Sequence, residues 1–331
     1  MTRRITLEDL PVSLPSAQRK IRHHIIGCEY LSGFCPGSEE ARDVRRDSVL
    51  WIHHLRSGKS RPSNLEGAPM ERDLYTFTGA DGNKRDDVEN AFARTEADAG
   101  ELTRRLAAGG ALLIEERHHY ASFVANMIIR TKAFQARLTE TLRRHFGLTV
   151  VRPEHLHAHA LMHMMKLGQI ISHMSWSVIR TSGDARFLTS DDPVSIALFR
   201  LSGLPDSNCS ILDKGATLTL PLAMNACLVA EWRDPPAVFQ VLEADHPLIG
   251  MLNQKCVASA HENIFAPEQS LLPKPDNTAA LRLAHPRPSL LHRDDVELLP
   301  PHGLRLPGVF DWMVQLMFEM RDTDLPTEPI R

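Results

Sequence analysis

The amino-acid sequence predicts an α+β fold in which long helices pack on a mixed or antiparallel sheet, with a further docking helix at the C-terminus. Apolar residues recur at three- and four-residue steps from residue 87 to residue 180, as they do on amphipathic helices. Short β-rich runs then occupy residues 187–232. The chain has 331 residues, of which 43% are apolar and 24% charged, which is typical of a folded protein with a substantial core.

The first part of the chain is predicted to contain a lead-in and two short strands. Residues 1–20 carry two prolines and read as a flexible lead-in before a single α+β domain that spans residues 21–266. The apolar run at 49–55 and the run at 73–77 are predicted to be strands, joined as a hairpin with a long loop.

Three helices are predicted in the middle of the chain. The first spans residues 87–107, where apolar residues mark one face. The second spans residues 111–144, with an interruption left open. The third begins at Pro153, a favourable residue for a first helical turn, and continues to residue 180.

The second half of the chain is predicted to supply the main sheet. Its strands are placed at 187–191, 216–222 and 226–232, and a helix follows at 246–262. Residues 267–307 are rich in proline and are predicted to be irregular. The last helix spans residues 308–322 and carries Met313, Met317 and Met320 on one face, so it is expected to dock on the body or on a protein partner.

Composition and charge narrow the class of protein. The formal net charge is −3, so no overall basic field indicates nucleic acid or anionic lipid, although a local basic patch stays open. The five cysteines are odd in number and form no Cys-x-x-Cys pair, which favours free thiols over a zinc or redox site. No apolar run reaches the length of a membrane span or a signal peptide, so a cytoplasmic location without membrane contact is expected.

Arg130 is the most informative single residue. It falls three residues after Met127 and seven after Phe123, on the apolar stripe of its predicted helix. A buried guanidinium needs an anionic partner, because an unpaired buried charge costs several kcal/mol. The alternative is that the aliphatic part of Arg130 packs while its charged end reaches water.

Two glutamates lie on the helix predicted before Arg130. Glu89 and Glu96 are two helical turns apart and lie at the margin of the apolar stripe. Carboxylates aligned in this way can bind a divalent metal such as Mg²⁺ or Mn²⁺, act as acid and base, or pair with Arg130. Carboxylates at a helix margin are more often simply solvated.

Histidines concentrate in the third predicted helix, and some have the four-residue spacing that places two imidazoles on one face for a metal. Their positions are His155, His157, His159, His163 and His173. No glutamate occupies the place that the H-E-x-x-H zinc pattern requires. Solvated or hydrogen-bonded histidines are the more ordinary interpretation, and it applies equally to His53, His54, His118 and His119.

The tetrapeptide Ser190-Asp191-Asp192-Pro193 ends a predicted strand. Polar groups at strand ends often converge in sites that a sheet supports. Asp before Pro also forms an ordinary turn, in which the carboxylate accepts hydrogen bonds from nearby backbone N–H groups. The chain carries no phosphate-binding glycine loop and no dinucleotide fingerprint, which disfavours ATP and NAD as cofactors.

Several segments, in order, resemble an uncharacterised, mainly bacterial family, domain of unknown function 4238. HIIGCEYLSGF at 24–34 is similar to the family's opening His-Tyr-Val-Pro-x-x-Tyr-Leu-x-x-Phe, although Gly27 replaces proline and Ile25 replaces an aromatic residue. FLTSDDPV at 187–194 is similar to its Thr-Ser-Asp-x-Pro-Val strand end. The other similar segments are VLWIHHLRSGK with DLYTF, VENAFARTEAD, FVANMIIRTKAF, ATLTLPLAMNACLV and LNQKCVASAHENIF. The resemblance covers residues 20–266, singles out His24 and Tyr30, and implies no activity.

The leading hypothesis is a hydrolase that cleaves a phosphoester in a nucleotide or nucleic acid. In it, His24 or a carboxylate is the general base, Arg130 stabilises developing negative charge, and Asp191 completes the catalytic set. Glu89 and Glu96 would bind a divalent metal or orient the base. The residues assigned to substrate binding are Tyr30, Ser190 and Asp192.

The rival hypothesis is a non-catalytic binding or interaction protein in which the same charged groups form a structural ion-pair network. The C-terminal helix would then face a protein partner. Exposure discriminates between the two, because catalytic groups line an open cleft and structural ones are sealed.

Overall fold

A computed structural model describes most of the chain. The described residues are 22–37, 48–72, 74–78, 84–85, 89, 92–93, 95–96, 99–146, 164, 166–198, 211–213, 215–233 and 238–274. The predicted lead-in at 1–20 and the predicted C-terminal helix at 308–322 lie outside these residues, as do all but the first eight residues of the Pro-rich segment.

The described chain alternates strands and helices. The strands are β1 (Arg22–His24), β2 (Val49–His54), β3 (Lys59–Asn64), β4 (Met70–Arg72), β5 (Phe77–Thr78), β6 (Lys84–Arg85), β7 (Ser175–Thr181), β8 (Thr189–Ser190), β9 (Ser195–Leu198), β10 (Ala216–Ala223), β11 (Ala226–Glu231), β12 (Gln240–Ala244) and β13 (Asn263–Ala266). The helices are α1 (Cys28–Ser32), α2 (Ala99–Ala107), α3 (Ile114–Ile129), α4 (Lys132–Phe146), α5 (166–173) and α6 (His246–Ser259). Short 3-10 turns span Leu65–Gly67 and Gln269–Leu271.

The larger sheet has five strands in the order β12-β7-β11-β10-β9. β12 runs parallel to β7, and the other neighbours are antiparallel, so the sheet is mixed. A two-residue turn at Met224 and Asn225 joins β10 to β11, which pairs Ala223 with Ala226. Both strands are rich in β-branched and apolar residues, and their side chains are buried almost throughout.

The second sheet has four antiparallel strands in the order β3-β2-β13-β8. β8 carries the start of the Thr-Ser-Asp strand end, and β13 follows α6. Their pairing makes these distant parts of the chain neighbours. Two small ladders, β1 with β4 and β5 with β6, complete the described strands. The predicted α+β class with mixed and antiparallel sheets is confirmed.

The junction between α3 and α4 places Arg130 at a helix end. Thr131 interrupts the helical run: its hydroxyl donates to the carbonyl of Ile128 at 3.0 Å and accepts the N–H of Phe134 at 3.1 Å. The side-chain oxygen of Thr131 thus accepts a backbone N–H of the first turn of α4, as N-terminal capping residues do. The interruption that the sequence left open in the second predicted helix falls here.

Helix α3 lies at the centre of the core. Every residue from Tyr120 to Ile129 except Ser122 is buried, so this helix is covered on all sides, as a central helix must be. Helix α2 packs between α3 and the five-stranded sheet, where it contacts β10, β11 and β7. This central position makes any polar side chain of α3 energetically important.

Three sequence predictions about elements are wrong. The helix predicted to reach residue 180 ends at 173, because SWSVIRT forms β7 in the middle of the large sheet. β2 forms its hairpin with β3 and not with the run at 73–77. β3 begins inside the segment that the sequence predicts to be a turn. Helix α6 ends at Ser259, three residues before its predicted end, and the residues NIFA, for which the sequence predicted no element, form β13 between β2 and β8.

No helix among the described residues is long and apolar enough to cross a membrane.

Candidate functional site

Arg130 lies at the end of α3 with its side chain almost fully enclosed. Its Nη1 forms an ion pair with Glu96 Oε1, and the two side chains are 3% and 29% exposed. The guanidinium carbon lies 5.6 Å from the ring centre of Tyr75 and 5.8 Å from that of Phe92. Arg130 therefore has an anionic partner and two aromatic neighbours, and its charged end does not reach water.

Tyr75 and Phe92 fix the position of the arginine. Their rings meet edge to face with centres 5.0 Å apart, and the Tyr75 hydroxyl donates a hydrogen bond to the backbone carbonyl of Arg130 at 2.7 Å. Rings over a guanidinium stabilise the cation through their electron-rich faces. Burial raises the pKa of Tyr75, the charge of Arg130 opposes that rise, and the charge of Glu89 adds to it.

Both predicted glutamates lie near this arginine. The carboxylate of Glu96 faces Gly27: a Cβ atom added there would lie 3.6 Å from Glu96 Oε2. Glu89 lies close enough to Tyr75 to influence its pKa, and its Oε2 is buried without a hydrogen-bond partner. The sequence left three roles open for Glu96: metal ligand, acid or base, and partner of Arg130. The structure shows Glu96 as the ion-pair partner of Arg130.

The backbone of His24 lies in the same region. Strand β1 pairs His24 with Met70 and His23 with Glu71, and Gly27, which faces Glu96, follows three residues later. The side chain of His24 is outside the described part of the structure. The topology thus brings the strand of His24 to the neighbourhood of Glu96 and Arg130.

A charged rim of Glu71, Lys132 and Glu262 lies beside this pair. Lys132 Nζ is 2.5 Å from Glu71 Oε2 and 3.6 Å from Glu262 Oε2, and all three side chains are partly exposed. Lys132 follows Arg130 by two residues at the start of α4, so the α3–α4 junction positions both cations. Sequence reasoning missed the rim, because its members are far apart in the chain and ordinary in type.

Asp191 is buried and clamps the turn between α6 and β13. Its Oδ1 accepts the N–H of His261 at 2.7 Å, and its Oδ2 accepts the N–H groups of Glu262 and Asn263 at 2.8 and 2.9 Å. The side-chain amide of Asn263 adds a longer bond of 3.3 Å. Burial raises the pKa of Asp191, although these hydrogen bonds oppose the rise.

The clamp links Asp191 to the rim. Glu262 donates its backbone N–H to Asp191, and its side chain pairs with Lys132. The carboxylate of Asp191 is occupied by backbone donors of residues 261–263, which lie about seventy positions later in the chain, rather than by donors of its own turn. Asp191 thus supports the rim from the interior, with its oxygens turned away from solvent.

The three residues assigned to substrate binding lie in the interior. The Tyr30 hydroxyl donates to the carbonyl of Pro221 at 2.7 Å and lies 2.8 Å from Thr189 Oγ1. Ser190 Oγ accepts the N–H of Asp192 at 3.2 Å, and the carbonyl of Asp192 accepts the Ser259 hydroxyl at 2.9 Å. All three residues are buried, so the structure does not expose them to a substrate.

The sequence profile of the family described as "Protein of unknown function (DUF4238)" matches residues 22–270, most of the chain. The chain belongs to this family. No curated protein and no solved structure matches the chain. Membership of DUF4238 brings no established activity, so function has to be argued from the arrangement around Arg130.

Of the histidines predicted to share the third helix of this DUF4238 chain, four lie outside the described residues: His155, His157, His159 and His163. His173 is exposed, with Nδ1 2.8 Å from the carbonyl of Gln169. Within the part of the chain that the structure describes, no three His, Cys, Asp or Glu side chains are grouped to hold a metal ion.

The described cysteines are free thiols, as their scattered spacing predicts. Cys35, Cys227 and Cys256 are buried, and Cys28 is partly buried. Burial raises the pKa of Cys35 to about 11 and that of Cys256 to about 12. A thiol with so high a pKa carries almost no thiolate near neutral pH, so neither cysteine is suited to be a nucleophile.

Replacing Tyr30 with phenylalanine tests whether its role is structural. The change removes the hydroxyl that bridges α1 to β8 and β10, so we expect the free energy of unfolding to fall by about 2 kcal/mol. Urea denaturation followed by circular dichroism measures this loss. A variant of full stability that fails to bind substrate would instead support the substrate-binding role.

His53 gives a prediction for acid pH. Burial lowers the pKa of His53, and the neighbouring His54 lowers it further. Below about pH 6.5, His53 therefore binds a proton more readily in the unfolded chain than in the folded chain. The free energy of unfolding should fall as the pH decreases. Between pH 7.5 and 5, wild type should lose more stability than His53→Asn in urea denaturation. Equal losses in the two proteins would contradict the lowered pKa.

Proposed function

We propose that this DUF4238 chain is a hydrolase that cleaves a phosphoester in a nucleotide or nucleic acid, with Arg130 as the group that binds the phosphoryl oxygens. The observation that carries the proposal is the pairing of an enclosed Arg130 with a partly exposed Glu96. A cation away from water interacts strongly with developing negative charge, because the surrounding dielectric is low. Glu96 is the exposed member of the pair, so the proposal requires a phosphoryl group to reach Arg130 from the side of Glu96.

The reaction follows from these groups. The oxygen of a water molecule attacks phosphorus while a general base takes one of its protons. The P–O bond to the leaving group breaks, and the leaving oxygen takes up a proton. His24, whose strand adjoins Glu96, and Glu96 itself are the proposed bases. Arg130 stabilises the charge that spreads over the phosphoryl oxygens.

The proposal includes a divalent metal only as a separate hypothesis. Glu89 and Glu96 would be its ligands, and Mg²⁺ or Mn²⁺ prefers such carboxylate oxygens. Glu96 already pairs with the positive Arg130, and the described residues add no third His, Cys, Asp or Glu ligand. The donor set therefore fits a divalent ion poorly, and no step of the reaction is derived through a metal.

The test uses the purified full-length chain and measures bound metal together with turnover. The substrates are p-nitrophenyl phosphate, bis(p-nitrophenyl) phosphate and a single-stranded oligonucleotide, each with and without added Mg²⁺ or Mn²⁺. We expect turnover by the wild type and none by Arg130→Met, prepared in parallel to exclude a contaminating phosphatase. Equal turnover by the two preparations, or none by either, rejects the proposal.

A second function is favoured by a different observation. Asp191 is saturated with hydrogen bonds, and Tyr30, Ser190 and Asp192 are enclosed. Such groups suit a non-catalytic binding or interaction protein, in which polar residues fix the helices against the sheets. In that case the partner is a protein, bound through the C-terminal helix at 308–322. A pull-down that depends on Met313 and Met317, with no turnover, would favour this function.

A further inference from the structure

Asn126 is a buried polar residue that nothing else in the fold explains. Its side chain is 0% exposed, and both Nδ2 and Oδ1 lack a hydrogen-bond partner. Nearly all buried polar groups in folded proteins are hydrogen-bonded, since leaving one unsatisfied is costly. An apolar side chain of the same size would serve the core better, so the amide points to a role that the unliganded structure does not satisfy.

The position of Asn126 suggests that role. Its backbone carbonyl accepts the N–H of Arg130 at 3.0 Å, the hydrogen bond of one helical turn. Residues four apart on a helix project from the same face, with Cβ atoms about 5–6 Å apart. The unsatisfied amide therefore lies on the face of α3 that carries Arg130, one turn before it.

We propose that Asn126 and Arg130 together form a phosphate-binding pair, in which Glu96 is a counter-ion that the incoming phosphate displaces. The proposal deepens the proposed function and rests on the same site. Arg130 is fixed by its enclosure, whereas Glu96 is 29% exposed and can turn to water when a ligand replaces it. Arg130 then keeps an anionic partner throughout, and the amide gains the hydrogen bonds that it lacks.

The amide also predicts which anion binds. Asn126 presents N–H donors on one atom and an acceptor oxygen on the other. Inorganic phosphate at about pH 7 keeps at least one P–OH group, so it can accept from Nδ2 and donate to Oδ1. Sulfate is also a tetrahedral anion but has no hydroxyl. It can therefore accept a hydrogen bond from Nδ2 of Asn126 but cannot donate one to Oδ1. Phosphate should therefore bind more tightly than sulfate.

The first experiment compares Asn126→Leu with Asn253→Leu by calorimetric titration of phosphate and sulfate and by urea denaturation. Asn253 is the matched control, because it also lies on a helix but is satisfied: its Oδ1 accepts the N–H of Leu188 at 3.1 Å, and its Nδ2 donates to the carbonyl of Arg186 at 2.9 Å. We expect Asn126→Leu to be at least as stable as wild type, to bind phosphate about tenfold more weakly, and to lose the preference over sulfate. Asn253→Leu should be less stable and keep phosphate affinity.

A second variant tests the counter-ion from the opposite direction. Glu96→Gln removes the charge that competes for Arg130, so we expect phosphate to bind about fivefold more tightly than in wild type. A purely structural carboxylate would lower stability on substitution without improving phosphate affinity. This variant keeps the proposal testable even if Asn126→Leu does not fold.

The outcomes separate this inference from the proposed function. Unchanged phosphate affinity in Asn126→Leu, or a loss of stability in that variant as large as in Asn253→Leu, overturns the role of Asn126. Phosphate affinity that is not improved in Glu96→Gln overturns the displacement. Phosphate binding that follows both predictions without turnover of any phosphoester leaves the binding pair standing and rejects the hydrolase.

Discussion

Asp191→Ala is expected to lower the free energy of unfolding by about 4 kcal/mol, because it leaves three backbone N–H groups, one buried and two partly buried, without their acceptor. Those groups belong to consecutive residues where α6 leads into β13, so the turn loses its side-chain contact with the end of β8 and keeps the backbone hydrogen bond from the N–H of Asp191 to the carbonyl of Asn263 at 3.1 Å. Urea denaturation monitored by circular dichroism gives the change. The same variant should also displace Glu262 and weaken its pairing with Lys132.

Asp184 provides the control for Asp191. It lies seven residues earlier in an exposed turn, and alanine there should change stability by about 0.5 kcal/mol at most. If Asp191→Ala is as stable as Asp184→Ala but inactive against phosphoesters, the clamp is not structural. That result would restore Asp191 to the catalytic set that the sequence predicts.

Two substitutions of Arg130 should differ in their effect on stability and have the same effect on binding. Arg130→Ala leaves a cavity beside Tyr75 and Phe92, so we expect it to destabilise the fold by about 3–5 kcal/mol. Arg130→Met fills much of that volume with an apolar side chain and removes the need for a buried partner. We expect its stability to stay within about 1.5 kcal/mol of wild type.

Phosphate binding and turnover should be abolished in both variants of Arg130, since neither retains the cation. Arg117→Met is the control: Arg117 is partly buried, its guanidinium carbon also lies near an aromatic ring, 4.6 Å from the ring centre of Trp176, and its Nε donates to the carbonyl of Ser172 at 3.0 Å. It should lose stability but keep phosphate affinity. Full phosphate affinity in Arg130→Met would remove the central assignment of the proposed function.

The rim, the clamp and the Arg130 pair form one connected arrangement. Asp191 holds the turn that carries Glu262, Glu262 pairs with Lys132, and Lys132 follows Arg130 across the capped α3–α4 junction. Each link fixes a charged group that would otherwise sample many rotamers, at an entropic cost of about 1.5–2 kcal/mol for lysine or glutamate. The arrangement holds the region around Arg130 in one geometry before any ligand arrives.

Local pattern determined much of this fold. The periodicity of residues 87–144 predicts helices where α2, α3 and α4 form, and a threonine side chain that caps α4 explains the break between them. The apolar runs at 216–222 and 226–232 predict strands where β10 and β11 form, and the structure pairs these two as a hairpin. These predictions succeed because propensity, side-chain period and turn chemistry act over a few residues.

The wrong predictions concern short apolar segments. SWSVIRT continues the helical pattern of the preceding residues, yet it forms β7 because β11 and β12 flank it on both sides. NIFA carried no prediction, because it is too short to have a period of its own, and pairing with β2 and β8 makes it the strand β13. A buried strand and a buried helical turn have the same composition, so only neighbouring strands decide between them.

For the candidate site, the sequence by itself determined that Arg130 falls on an apolar face, and it left open whether the guanidinium pairs with an anion or reaches water. It also placed Glu96 among the carboxylates able to supply one. Only the tertiary structure decided that Glu96 is the partner, that Asp191 is occupied by the 261–263 turn, and that Asn126 has no partner. The physical reason is that hydrogen bonds and ion pairs depend on distances between residues far apart in the chain, which folding alone fixes.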